Sequence, residues 1–448
     1  MTKEKQTDNI AYTLVRFSLP LILSGVLQQL YSWADAFIVG NVEGETALAA
    51  IGATGIVMNY FLMVITGFTV GLAILFAQKY GGKELEFLPK LLSSFAVIFG
   101  VLFLFLALGG IRYSGEILRL LNTTPDTVQL ADQYLKIVLA GLPFLAVYNV
   151  YSAALRGVGD SRAPFLAVLI SSAVNVVLDL LFVAVWHRGV SGAAAATVFS
   201  QAAMTVFILL YTVKRHRMLR FRVDSRLVEQ DAVRQGIKLG VPPMIQSSVN
   251  ACGGLMLQNF MNSFGTQTVA AITTAYRIDS IILLPIVNLG SGISTIVAQN
   301  CGAGEKKRAG KVFATGMATM FFTSLLLTLL VIPTGGFLIA LFGVSETAVA
   351  IGSEFFRRIA CFYVVYGLAM AVRGYLEGMG DVVYSSATGI AALITRIAGS
   401  YLMKPMFGNM VIVYAEVVSW GLLLLLYVLR ALWRRDGRRA ENGAASGV

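Results

Sequence analysis

Long apolar stretches separated by short polar ones run from one end of the chain to the other. Twelve of them reach the roughly 20 residues that an α-helix needs to cross a hydrocarbon core of about 30 Å. They lie near 14–40, 47–76, 88–111, 130–155, 163–186, 190–212, 236–262, 268–298, 312–342, 351–376, 384–405 and 409–433. In lipid each backbone polar group must be satisfied within its own segment, so each stretch is predicted to be a helix. In the first, Ser24, Gln28, Ser32 and Asp35 recur at steps of four, four and three, drawing one polar stripe on an apolar helix. The fifth repeats the device, with Asn175 and Asp179 four apart on one face. Pro20, Pro143, Pro242, Pro243 and Pro285 interrupt spans, where a missing backbone bond permits kinks.

Composition turns this pattern into a polytopic membrane protein. Of 448 residues, 57% are hydrophobic and 13% charged, and the mean hydropathy is +0.74. Soluble domains carry about 25% charged residues. The first apolar run is too long for a signal-peptide core of about 7–15 residues, so the first span is expected to be retained. Cys252, Cys301 and Cys361 lie in or beside apolar spans without framework spacing and read as small core residues. His187 and His216 fall in loop-like stretches, so no metal centre is expected beyond a possible Na⁺. The net charge of +11 follows topology more than a nucleic-acid surface. With the N-terminus inside, inner loops and tails collect most Lys and Arg, whereas the outer loops hold Arg112, Arg119, Arg188 and Lys404. The positive-inside rule then predicts two cytoplasmic termini in a cell (inner or plasma) membrane. No cofactor and no nucleic-acid partner are expected, and the chain is expected to be a monomer in the bilayer.

A repeat organises the chain. "LRGVGD" (155–160) matches "LEGMGD" (376–381) and "FAQKYGG" (76–82) matches "VAQNCGA" (297–303), both at an offset of 221. At the same offset Gly71 falls on Gly292 and Lys136 on Arg357. The fold class is therefore all-α, with twelve transmembrane helices in two pseudo-symmetric six-helix bundles. The expected divisions are an N-lobe at 1–213, a basic linker at 214–235, a C-lobe at 236–433 and a basic tail at 434–448. Six spans per copy make the repeats parallel, an architecture that places a cavity between lobes and exposes it to alternate sides. Asp160 and Asp381, in the two "GxGD" turns, read as helix caps or turn acids.

Polar residues inside spans carry the chemistry, because each must find a partner or a water-filled cavity. An acid at a helix centre costs roughly 2.5–3.5 kcal/mol on insertion scales. Asp35 and Asp179, with Asn175 and with Thr197 one helix later, make an oxygen set suited to a hard monovalent cation or a proton. Asn149 in the fourth span is either a further member or a structural amide.

"YSWADAFIVGN" (31–41), "AQNCGAGEKKRA" (298–309) and the paired "RGVGD" and "EGMGD" turns resemble the multidrug and toxic compound extrusion (MATE) transporters, within the MOP flippase superfamily. The resemblance covers essentially the whole chain. It implies twelve helices in two bundles facing a cavity. It also implies efflux of amphipathic, usually cationic compounds driven by inward H⁺ or Na⁺. In the DinF-like branch, acids of the first and fifth spans, a fifth-span Asn and a sixth-span Thr form the cation site of the N-lobe. They carry over onto Asp35, Asp179, Asn175 and Thr197.

The repeat supplies a test. At offset 221 Asp35 falls on Met256, Asn175 on Arg396, Asp179 on Ser400, Asn149 on Met370 and Thr197 on Val418. A set needed only to hold a lobe together should recur in both copies, so the asymmetry favours a function confined to the N-lobe. Gln28, Tyr31, Ser32, Met63, Gln246, Asn250 and Tyr366 are candidates for lining a substrate cavity. Among the remaining buried charges, Arg396 is expected to pair structurally with Glu416 or Asp279, while an unpaired cavity arginine would repel cations or admit anions. Three rival readings stand beside this one. A lipid or lipid-linked oligosaccharide flippase of the same superfamily would account for the arginines. An intramembrane enzyme lacks an intramembrane His and a metal set. A channel would distribute its polar residues in rings through a pore.

Overall fold

The computed structural model describes residues 9–221 and 228–445, the side chains of 435–445 excepted. All regular structure among them is helical. The first half holds α1 (Ile10–Glu43), α2 (Glu45–Gly81), α3 (Phe87–Arg112) and the short α4 (Ser114–Leu120). It continues through α5 (Pro125–Leu139), α6 (Leu142–Gly157), α7 (Arg162–Asp179) and α8 (Gly189–Arg215). The second half holds α9 (Gln230–Asn262), α10 (Thr266–Ile282), α11 (Leu284–Gly302) and α12 (Lys306–Ala340). It ends with α13 (Glu346–Ile359), α14 (Tyr363–Gly378), α15 (Val382–Phe407) and α16 (Val411–Ala445). Counting the broken spans α5/α6, α10/α11 and α13/α14 once each gives the twelve crossings among the described residues. α9 is more polar than the others but, at 33 residues, long enough to cross. α15 and α16 reverse direction at Gly408, whose φ of +57° suits a residue without a side chain, and pack on each other. The tail expected from 434 begins as a continuation of α16, and six residues of the basic loop, 222–227, lie outside the described residues.

Two of the breaks obey the repeat. α5 and α6 are bent by 44° at residues 140–141, and α13 and α14 are separated by a tight turn at Ala360–Phe362, 221 residues on. Pro143 and Pro285 stand in the first turns of α6 and α11, where the absent N–H has no intrahelical partner to lose.

The helices assemble into two compact units, but the division does not fall at the basic loop where the sequence placed it. One unit comprises Pro20–Met244 (the N-unit). The other joins the chain before Pro20 to the chain from Ile245 onward (the C-unit). The start of α1 therefore packs in the C-unit, where Leu14 is fully buried among Ile293, Met370 and their neighbours. The start of α9 packs in the N-unit, where Ala232 is buried with Phe68, Leu72 and Phe95. The repeated glycines explain how each segment is received. A Cβ on Gly71 would stand 1.9 Å from the Leu239 carbonyl oxygen, and one on Gly292 would stand 2.5 Å from Ser18 Oγ. Ser18 and Leu239 are themselves 221 apart, so the exchange is symmetric.

The two "GxGD" turns share a left-handed glycine, Gly159 at φ +94° and Gly380 at φ +86°. Asp160 caps α7 by accepting from the Arg162 and Ala163 N–H groups (3.1 Å each), and ties down the end of α8 through His216 (2.8 Å) and Tyr211 (3.1 Å). Burial would raise its carboxyl, but these donors outweigh burial and hold it below the ordinary value. Asp381 instead clamps α16, through Arg430 at 2.8 Å and Arg434 at 3.0 Å. The cysteines correct an expectation. Expected in the core, Cys252 and Cys361 are exposed and Cys301 is only partly covered. A thiol is apolar enough to lie on a lipid-facing helix surface, so position within an apolar span did not mean burial in the core.

Candidate cation-coupling site

The residues singled out in the first and fifth spans meet inside the N-unit. α1 carries Asp35 and α7 carries Asn175 and Asp179 on one buried face, with Asn175 1% and Asp179 0% exposed. The carboxyl groups of Asp35 and Asp179 stand next to each other. Asp35 Oδ1, both oxygens of Asp179 and both polar atoms of Asn175 are buried, without a hydrogen-bond partner among the described residues. Facing carboxylates are acceptors only, so neither can satisfy the other until one holds a proton or both share a cation. Leaving such acceptors unmet in a dry interior is costly.

Local backbone geometry sets this arrangement. Directly after Asp179 the helix widens into a π turn, Leu180–Val185, a device that shifts side-chain register and is frequent at functional sites. The corresponding stretch of α15 remains α-helical. The turn to α8 is short, Trp186–Arg188, with His187 at φ +49°, and it brings Thr197 to the site. The Thr197 hydroxyl donates to the Ala193 carbonyl (3.1 Å), leaving its oxygen free to accept or coordinate. Val39, Val183, Val190 and Ala193 form a buried apolar cluster on the same helices.

The other candidates divide. Asn149 donates to the Leu145 carbonyl of its own helix (2.8 Å), the behaviour of a structural amide. Ser24 and Ser32 likewise donate to the carbonyls four residues back (2.9 Å each), so the polar stripe of α1 is mostly tied to its own backbone. Gln28, Ser32 and Met63 are exposed on the N-unit, while Tyr31 lies near Asp35. Gln246, Asn250 and Tyr366 line a cavity of the C-unit.

Sequence reasoning missed Tyr134 of α5, 6% exposed, whose phenol lies beside Thr197 and close to both carboxylates. The repeat held the signal: at offset 221 Tyr134 falls on Phe355, the same ring without its hydroxyl.

Known proteins resemble the chain over most of its length. The MatE family model matches residues 20–181 and 242–402, two segments whose ends stand 221 apart. A probable multidrug resistance protein of Bacillus subtilis, YpnP, is 30% identical over 372 residues, 83% of either chain. The chain belongs to the MATE family. It is thus a membrane transporter and not an enzyme. The Staphylococcus aureus multidrug export protein MepA is 22% identical over 425 residues, 93% of either chain. A solved MATE family transporter in an outward-facing conformation superposes with a TM-score of 0.90 at 21% identity, covering 98% of this chain and 99% of its own. That likeness confirms the twelve-helix fold.

The C-unit of this MATE transporter holds a polar cluster of different chemistry. Arg396 donates to Glu416 (3.0 Å) and to the Tyr276 hydroxyl (2.7 Å), and Tyr276 donates to Glu416 (2.9 Å). Asp279 accepts from Tyr363, and Arg277 is exposed. Of the two expected pairings for Arg396, the one with Glu416 forms. These acids are occupied by donors, unlike Asp179 of the N-unit.

Proposed function

We propose that this transporter is a secondary active antiporter that exports amphipathic drugs or metabolites in exchange for inward H⁺ or Na⁺. The observation that carries this is the pairing of Asp35 with Asp179 among buried acceptors that no donor meets among the described residues. A proton on one carboxyl turns two repelling acceptors into a donor and an acceptor. A sodium ion would be held by the same carboxylates with Asn175 Oδ1 and Thr197 Oγ1, all hard oxygen ligands. Tyr134, beside Thr197, would orient that ligand. Such a site drives transport only by binding its ion with different affinity in the two access states. The coupling site lies in the N-unit, as in the DinF-like branch, and access alternates as the two units rearrange. Both termini face the cytoplasm, and the transporter works as a monomer in the cell membrane. The export named for MepA supports the efflux direction, and the multidrug resistance named for YpnP is consistent with it. The family's usual cationic substrates are the starting expectation for cargo.

The test is efflux of a fluorescent cargo from proteoliposomes under pH and Na⁺ gradients imposed separately. One gradient should drive export, and Asp35→Asn and Asp179→Asn should each abolish the response while the protein still inserts. Gradient-driven export that survives both substitutions would overturn the assignment.

A further inference from the structure

The C-unit holds a partly open cavity of about 290 Å³ lined by α9, α14, α15 and α16. Two guanidinium groups line it, Arg373 and Arg396, and no acid is among its described lining residues. Each arginine is backed by a carboxylate that is more deeply buried than itself. The Arg373 side chain is 22% exposed against 7% for Glu377, and Arg396 is 23% exposed against 9% for Glu416. The acids thus hold the arginines from behind.

Those contacts do not use all the donors. Arg373 spends Nε on Glu377 (2.7 Å) and Nη2 on Gln246 (3.2 Å), and Arg396 spends Nη2 on Glu416 and Tyr276. Nη1 of Arg373, with Nε and Nη1 of Arg396, donates to no described residue. A guanidinium carries five N–H groups and cannot lose its charge, so inside a membrane protein spare donors call for an acceptor. Beside them Tyr366 and Trp420 form a ring pair with centroids 4.8 Å apart. The repeat argues against a merely structural pair. At offset 221 Arg373 falls on Ser152 and Arg396 on Asn175, so the N-unit is built without either charge.

We propose that this cavity binds the anionic group (carboxylate, sulfonate or phosphate) of an amphipathic molecule whose apolar part lies against Tyr366 and Trp420. It rests on the reading of the chain as an exporter of amphipathic compounds, and it makes the cargo an organic anion or zwitterion instead of a simple cation. A volume near the lower end of small-molecule pockets, about 300 Å³, suits a head group or a single ring system.

Binding is measured at equilibrium, with no gradient, so failure here is separate from failure of ion coupling. The full chain is placed in phosphatidylcholine nanodiscs and titrated with two probes that differ in charge, pyrene-1-sulfonate and pyrenylmethylammonium, read by tryptophan quenching. The sulfonate should bind at least about tenfold more tightly, the discrimination one charge-assisted hydrogen-bonded contact supplies. Arg373→Gln and Arg396→Gln should each erase most of that preference and leave the ammonium probe unchanged. Equal affinity of the two probes, or preference for the ammonium, overturns the proposal, and this comparison needs no variant to fold. Arg396→Lys, which keeps the charge, should retain part of the preference. Displacement of the sulfonate by soluble benzoate supports the site with a soluble occupant. Its loss on adding phosphatidylglycerol to the discs supports the site with a lipid head group as occupant.

Discussion

At the scale of single residues, the difference between the units lies in which polar atoms are met. Glu416 and Asp279 have donors, whereas Asp179 has none among the described residues. Tyr134 is the residue whose role can be separated from packing. Tyr134→Phe keeps the ring and removes the hydroxyl beside Thr197, so thermal stability should change little. The ion concentration giving half-maximal exchange should rise by roughly fivefold, the equivalent of about 1 kcal/mol for one hydrogen bond. An unchanged half-maximal concentration would remove Tyr134 from the site. Asp35, Asn175 and Asp179 were legible in the sequence because carboxylates and amides stand out against an apolar run. Tyr134 was not, since a tyrosine is ordinary in a membrane helix and only its partner Phe355 distinguishes it. Arg373 escaped for a related reason: it stands one helical turn before Glu377, close to the predicted end of the tenth span, where a charge is unremarked.

Among elements, span number and approximate ends could be read directly, since hydropathy reports where a helix meets lipid. The π turn after Asp179 could not, because Leu180–Val185 has the composition of an ordinary apolar helix. Nor could the receivers of the exchanged segments, although Gly71 and Gly292 were visible as a repeated pair. Their local geometry makes a prediction. In Gly71→Ala the new methyl meets backbone, which cannot step aside, and the loss should be at the upper end of the 1–3 kcal/mol typical of overpacking. In Gly292→Ala it meets the Ser18 hydroxyl, a side chain with no hydrogen-bond partner among the described residues, so the loss should be smaller. Replacing Ser18 by Gly should rescue the second variant but do nothing for the first. Thermal melts in detergent measure all three.

For the whole molecule, the repeat in the sequence anticipated two bundles but not the trade between them. Pro20 and Pro242 mark where the helices can bend, and a proline says nothing about which unit receives the segment before it. Because each unit contains a piece of the other half, fragments 1–221 and 228–448 expressed singly should be unstable in detergent. Co-expressed, they should copurify and melt as one species. A lone N-terminal fragment as heat-stable as the intact chain would contradict the exchange. The trade also sets a clock on biogenesis. The beginning of α9 is made when α2 and α3 are already in the membrane, so its dock is ready on arrival. The beginning of α1 has no such luck in order. Ser18 is synthesised some 270 residues ahead of Gly292, which at about 5–20 residues per second leaves it roughly 15–55 s in the bilayer before its partner exists. During that interval it is the part of the nascent transporter that insertion factors and quality-control proteases would meet uncovered.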